Sequence, residues 1–313
     1  MDDATGGRSD HLASLDLLRL LAIVLVTVQH AMSVTDHYAL TQVGTLSLGQ
    51  AGVALFCALS GFLAARDPRP ASRWLWRRLL RIYPAYWIVM AASFVVTRAF
   101  HDKPFTAYQL LSQMAGIGFF THGWELVNVV SWFISLILLC YTVTFVAKVT
   151  GKPILLYLSA AAVAGLLLAG HWESSLSRHM ITFCLAGVCG LMGRRLPIRA
   201  GWIVAALVLC QWLNPQFLYG ALSLLLLTVA LALPTLSLPG GTVAGGYVYE
   251  YFLLHGIFLD GAMRLLPAYP GVAVALGIAT AALGAISLRA LLTWILPASR
   301  SATPATLLPR PTP

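Results

Sequence analysis

Residues 14–34 read SLDLLRLLAIVLVTVQHAMSV, a run apolar enough to lie in lipid that nevertheless carries Arg19 and His30. Eleven positions separate the two, which at 100° per residue returns to within about 20° of the same helix face. At 1.5 Å per residue it is roughly 16 Å of axial rise, about half the hydrocarbon thickness. One face therefore offers a cation at one depth and an imidazole at another. Burying a charged side chain costs about 2.5–3.5 kcal/mol on insertion scales, so such residues usually face a protein interior or a wet cavity. Alternatively Arg19 snorkels to one interface and His30 rests in the opposite headgroup layer; this helix alone does not choose. Both side chains are expected to look into one hydrated chamber.

Composition sets the class of the whole chain. Of 313 residues 59% are hydrophobic and 10% charged, with a mean hydropathy of +0.81. Soluble domains carry about 25% charged residues, so an all-α integral membrane protein is expected. The net charge of +9 sits in short loops between apolar runs, where topology explains it better than nucleic acid does. Apolar runs that cross a bilayer, or nearly do, lie near 15–35, 44–65, 78–100, 126–148, 153–170, 178–196, 199–213, 216–234, 243–263 and 271–297, giving about ten transmembrane helices. Lys and Arg gather in alternate connections: Arg8; Arg66, Arg69, Arg73, Arg77, Arg78 and Arg81; Lys148 and Lys152; Arg194, Arg195 and Arg199; Arg300 and Arg310. Both termini are therefore expected on the cytoplasmic side. Residues 1–297 read as one transmembrane domain and 298–313, rich in Ser, Thr and Pro, as a disordered cytoplasmic tail. No small-residue cleavage site follows the first run, so a retained span is expected rather than a signal peptide. The five cysteines lack zinc or disulfide spacing and no metal site is expected. His101, His122 and Glu125 fall in an outward stretch that reads as solvated loop or interfacial segment.

Further along, GVALFCALSGFL closes the second run and RRLLRIYPAYWIV opens the third; SWFISLILLCY, RHMITFCLAGVCG and YEYFLLHG follow in order. With the Arg-x10-His of the first run, this ordered set resembles the acyltransferase-3 family of integral membrane acyltransferases, whose hallmarks include that spacing, a Ser-Gly-Phe turn and an Arg-rich stretch leading into Arg-Ile-x-Pro-x-Tyr. The likeness runs from about Leu15 to Gly256. It implies O-acylation of a sugar, lipid or peptidoglycan outside the cytoplasm, with cytoplasmic acyl-CoA, most simply acetyl-CoA, as donor. A bacterial inner membrane location and an acceptor on a glycan or a lipid-linked molecule follow from the same likeness.

The donor's phosphates suit the arginines at the cytoplasmic mouth, where charge-assisted contacts are strong. Arg78 and Arg81 are expected to touch donor, with Ser60, Tyr83 and Tyr86 nearby, while Arg66 and Arg69 are left to topology. Pro84 is expected to kink the third helix and open a groove. His30 is the expected general base, because burial keeps an imidazole in its neutral, proton-accepting form. Arg19 lies three turns away, more suited to binding donor or orienting the thioester, and Asp16 shares its face and pairs with it. Glu250 and His255 are five apart, about 140° round a helix, and so do not aim at one spot; His255 ranks second as a catalytic group and Glu250 is a charge partner. Many relatives place a Glu between the Trp and Tyr of the fourth motif, where this chain has Ile137, Leu138 and Leu139; the acid is absent, or moved to Glu125 or Glu250. A membrane exporter or flippase of a polysaccharide or lipid-linked substrate is the competing reading, although the matching halves of such proteins are not visible.

Overall fold

The computed structural model describes residues 13–101, 105–171, 173–191, 196–233, 236 and 238–296. Within them the chain is helical: α1 (Ala13–Val34), α2 (Leu48–Arg66), α3 (Ala71–His101), α4 (Ala107–Met114), α5 (Gly118–His122), α6 (Trp132–Thr150), α7 (Ile154–Leu168), α8 (Ser174–Gly190), α9 (Leu196–Cys210), α10 (Phe217–Ala232), α11 (Gly241–Leu265) and α12 (Pro270–Ile295). A two-residue antiparallel ladder, Gln42–Val43 with Leu46–Ser47, joins α1 to α2. Each apolar run read from the sequence holds a helix, and α4 and α5 are two short additions in the stretch expected as loop or interfacial segment. Among the described residues five helices, α1, α2, α3, α6 and α12, are long and apolar enough to cross a membrane, which marks an integral membrane protein. The tail and the arginines at 8, 194, 195, 300 and 310 lie outside the described residues.

In lipid, helices associate by close packing rather than by hydrophobic burial, so small residues belong where backbones meet. Gly61 shows this for α2 and α8: a Cβ there would stand 2.1 Å from the Phe183 carbonyl oxygen. Gly52 does the same for α2 and α1, with Ala22 O at 2.4 Å from its would-be Cβ. The Ser-Gly-Phe element, expected as a turn, lies inside α2; its glycine serves close helix approach, a requirement that looks like a turn signal when no contact is visible. Replacing Gly61 with Ala forces two backbones apart and is expected to cost about 1–3 kcal/mol or more. Gly165→Ala, where nothing lies within 4 Å, is the neutral control. Thermal unfolding of the two variants in detergent checks the difference.

Two further devices set the geometry of the site. Pro84 lies inside α3, which runs on past it to His101. On either side of it, Tyr83 donates to Ala115 O at 2.7 Å, Tyr86 to Gln113 O, and Trp87 Nε1–H to Met114 O at 2.9 Å. Those are successive carbonyls at the end of α4, where helical partners run out, although Gln113 O also accepts from Gly116 N–H at 2.9 Å. Near the centre of the bundle Phe56, Phe133 and Phe252 meet, with ring centroids 5.2–6.4 Å apart.

Candidate active site

α1 and α11 bring His30 and His255 together. His255 is fully buried, and its Nδ1 lies 2.7 Å from Phe252 O. A carbonyl only accepts, so that nitrogen carries the proton and His255 Nε2 is an acceptor. His30 Nδ1 lies 3.0 Å from His255 Nε2 and 3.0 Å from Val26 O. Both neighbours accept, so His30 carries its proton on Nδ1 and presents the lone pair of Nε2. The pair thus selects one tautomer of His30, the arrangement that a general base requires.

His30 lines a cavity of about 110 Å³ with Gln29, Gln50, Trp124, Trp132 and Phe252. A single water needs roughly 10–15 Å³ measured this way, so the space admits several waters or part of a polar molecule. The two carboxamides are fixed by their oxygens. Gln29 Oε1 accepts from Gly49 N–H at 2.7 Å and from the Ser47 hydroxyl, capping the first turn of α2 from α1. Gln50 Oε1 accepts from His179 Nε2–H at 2.8 Å. His179 has no solvent exposure and its Nδ1 has no hydrogen-bond partner among the described residues; such an unsatisfied atom costs about 1–3 kcal/mol. Its ring lies 5.6 Å from that of Trp132.

A second cavity holds the cations. Arg19, Arg78, Arg81, Ser60, Tyr141 and Tyr249 supply its polar wall, and Phe56, Leu59, Phe133, Ile137 and Phe252 are among its apolar lining. Arg19 is ion-paired with Asp16, as the sequence predicts. Arg81 lies within electrostatic reach of Arg19, Arg78 and Glu250, and the Arg78 guanidinium stands 5.8 Å from the Tyr141 ring centre. Among the described residues neither Arg78 nor Arg81 has an ion-pair partner. Like charges gathered inside a bundle repel and lose hydration, a cost that an anion between them would offset. Tyr249 donates to Ile82 O at 2.9 Å and ties α11 to α3 along its edge.

Several expectations change at this point. Arg19 and His30 do not share one chamber: each lines its own cavity, and Phe252 is the one residue common to both walls. Tyr83 and Tyr86 line neither; their hydroxyls are engaged by the end of α4. Glu250 and His255 diverge as their spacing predicts. Glu250 is buried with its Oε2 3.7 Å from Arg289 Nη1, an arginine the sequence reading did not single out. Ile137, in the stretch where an acid is looked for, forms part of the apolar lining of the cation cavity, while Glu125 is exposed next to Trp124. His122 Nε2 meets Ser112 Oγ at 2.9 Å, and the side chain of His101 lies outside the described residues. Gln29, Gln50 and His179 were missed, although each is a polar residue inside or at the start of an apolar run, the same signal that singled out His30.

A family model described as an acyltransferase domain matches residues 12–290. That range spans both cavities and every residue that lines them. No curated protein and no solved structure matches the chain.

Proposed function

The chain belongs to the acyltransferase-3 family, and from that premise we propose that it moves a short acyl group, most simply acetyl, from cytoplasmic acyl-CoA to a hydroxyl of an extracytoplasmic glycan, glycolipid or related acceptor. In this reading ten helices span a bacterial inner membrane with both termini in the cytoplasm. The cation cavity then opens inward and the histidine cavity outward, in keeping with the distribution of Lys and Arg. The observation that carries the proposal is the His30–His255 pair at 3.0 Å, set in a cavity that meets an arginine-lined one at a single aromatic side chain.

The donor's phosphates bind Arg78 and Arg81, with Arg19 and Ser60 beside the arm of the molecule. The thioester passes the Phe252 ring to reach His30. His30 Nε2 takes the proton of the acceptor hydroxyl as its oxygen bonds to the acyl carbon. The carbon–sulfur bond then breaks, and the imidazolium returns the proton to the departing sulfur. His255 and Val26 O, both acceptors from Nδ1–H, favour the positive charge that His30 carries between the two steps.

The test uses proteoliposomes holding the full chain, acyl-labelled acetyl-CoA on one face and extracted surface glycans or glycolipids on the other. Label on the acceptor, with a mass gain of one acetyl group, is the expected result. Passage of the acceptor without a change in mass overturns the reading in favour of an exporter or flippase.

A further inference from the structure

Acyl transfer places negative charge on the acyl oxygen at the moment the acceptor attacks, and the histidine cavity contains no Lys or Arg to meet it. Its lining is Val26, Gln29, His30, Gly49, Gln50, Val53, Trp124, Val129, Val130, Trp132 and Phe252. Arg19 lies on the same helix roughly 16 Å from the level of His30 by helix rise, too far to serve. The two carboxamides remain. In each the oxygen is already used, by Gly49 N–H and Ser47 for Gln29 and by His179 for Gln50. The N–H donors of both have no hydrogen-bond partner among the described residues, while both side chains line the cavity with His30.

We propose that the amide N–H groups of Gln29 and Gln50 bind the acyl oxygen in the tetrahedral intermediate, and that His179 is a positioning residue for Gln50. The inference rests on the acyltransferase reading and assigns the electrophile-binding half of its site. As the acceptor oxygen bonds to carbon, the carbon–oxygen π pair moves to the acyl oxygen, where the two amides donate to it. The pair returns as the carbon–sulfur bond breaks, and the proton passes from acceptor to His30 to sulfur. Donors held in place before the charge develops act on the transition state rather than on bound substrate. Here the α2 helix start holds one amide and the buried imidazole the other.

Gln29→Glu and Gln50→Glu are the informative variants, because each keeps the oxygen that Gly49, Ser47 or His179 uses and removes the N–H donors. Each is expected to lower kcat by about 10²–10³-fold, the effect of one lost oxyanion donor, with KM for donor and acceptor changed less than threefold. Gln50→Leu gives the same loss without adding a charge. Slow hydrolysis of acetyl-CoA by the protein falls in parallel, since water as acceptor passes through the same intermediate. For His179, the Gln variant retains an N–H donor and keeps more kcat than Leu does, at equal thermal stability in detergent. Unchanged kcat with a tenfold rise in acceptor KM would overturn the proposal, because the amides would then bind the ground-state acceptor. Unchanged hydrolysis overturns it too. If His30→Ala abolishes transfer while these variants retain it, only this inference fails; if His30→Ala also retains it, the acyltransferase mechanism fails with it.

Discussion

Alanine at position 30 is expected to lower acyl transfer by about 10²–10⁴-fold, the usual contribution of a positioned general base, while the protein still inserts and elutes as a single species in detergent. The expectation follows from the tautomer. His255 Nδ1–H is committed to Phe252 O, so its other nitrogen accepts from His30, which leaves the Nε2 lone pair of His30, a residue of the cavity lining, for the acceptor. Glutamine at 30 retains an N–H donor for Val26 O but cannot take a proton, so it separates loss of the base from loss of packing and is expected to be as inactive as alanine. Substituting His255 with Leu removes one acceptor from Nδ1–H and leaves Val26 O. Its loss is therefore smaller, roughly threefold to tenfold, the worth of one hydrogen bond. A transfer assay at saturating donor and acceptor reads all three. Wild-type rates in the alanine variant would show that the proton leaves by another route.

The order of these effects also shows what a sequence can carry. Arg19, Asp16 and His30 share one helix, so their spacing and the ion pair follow from 3.6 residues per turn. The divergence of Glu250 from His255 follows in the same way. The meeting of His30 with His255 is a different matter, because 225 positions separate them and only the packing of α11 on α1 sets the contact. The same holds for the division of the interior. Phe56, Phe133 and Phe252 come from α2, α6 and α11, and no periodicity within one helix announces that their rings meet. A single chamber is the natural expectation from one face of α1, whereas Arg19 and His30 line separate cavities that share Phe252 of another helix. Tyr83 and Tyr86 lie outside both cavity linings for a related reason: their sequence context places them next to Arg81, but their hydroxyls find carbonyls at the end of α4.

Replacing Arg78 and Arg81 together with Gln is expected to raise donor KM by two to four orders of magnitude, since each charge-assisted contact to phosphate is worth about 1.5–3 kcal/mol. Either single variant gives roughly the square root of that factor. Arg19 has Asp16 and Arg289 lies near Glu250, whereas Arg78 and Arg81 reinforce one another's unfavourable field inside the bundle. A bound anion relieves that field, so binding of free CoA should weaken as salt rises in the wild type and much less in the double variant. Arg81→Lys keeps the charge but loses the planar fork that matches phosphate, and is expected to fall between wild type and Gln. Arg73 and Arg77 lie in the same cluster of the sequence and outside the cavity lining; if they serve topology alone, Arg73→Gln and Arg77→Gln leave donor KM within about threefold. Titration calorimetry with CoA and with dephospho-CoA reads the set, and equal affinities for CoA in the wild type and the double variant would remove the donor from this cavity.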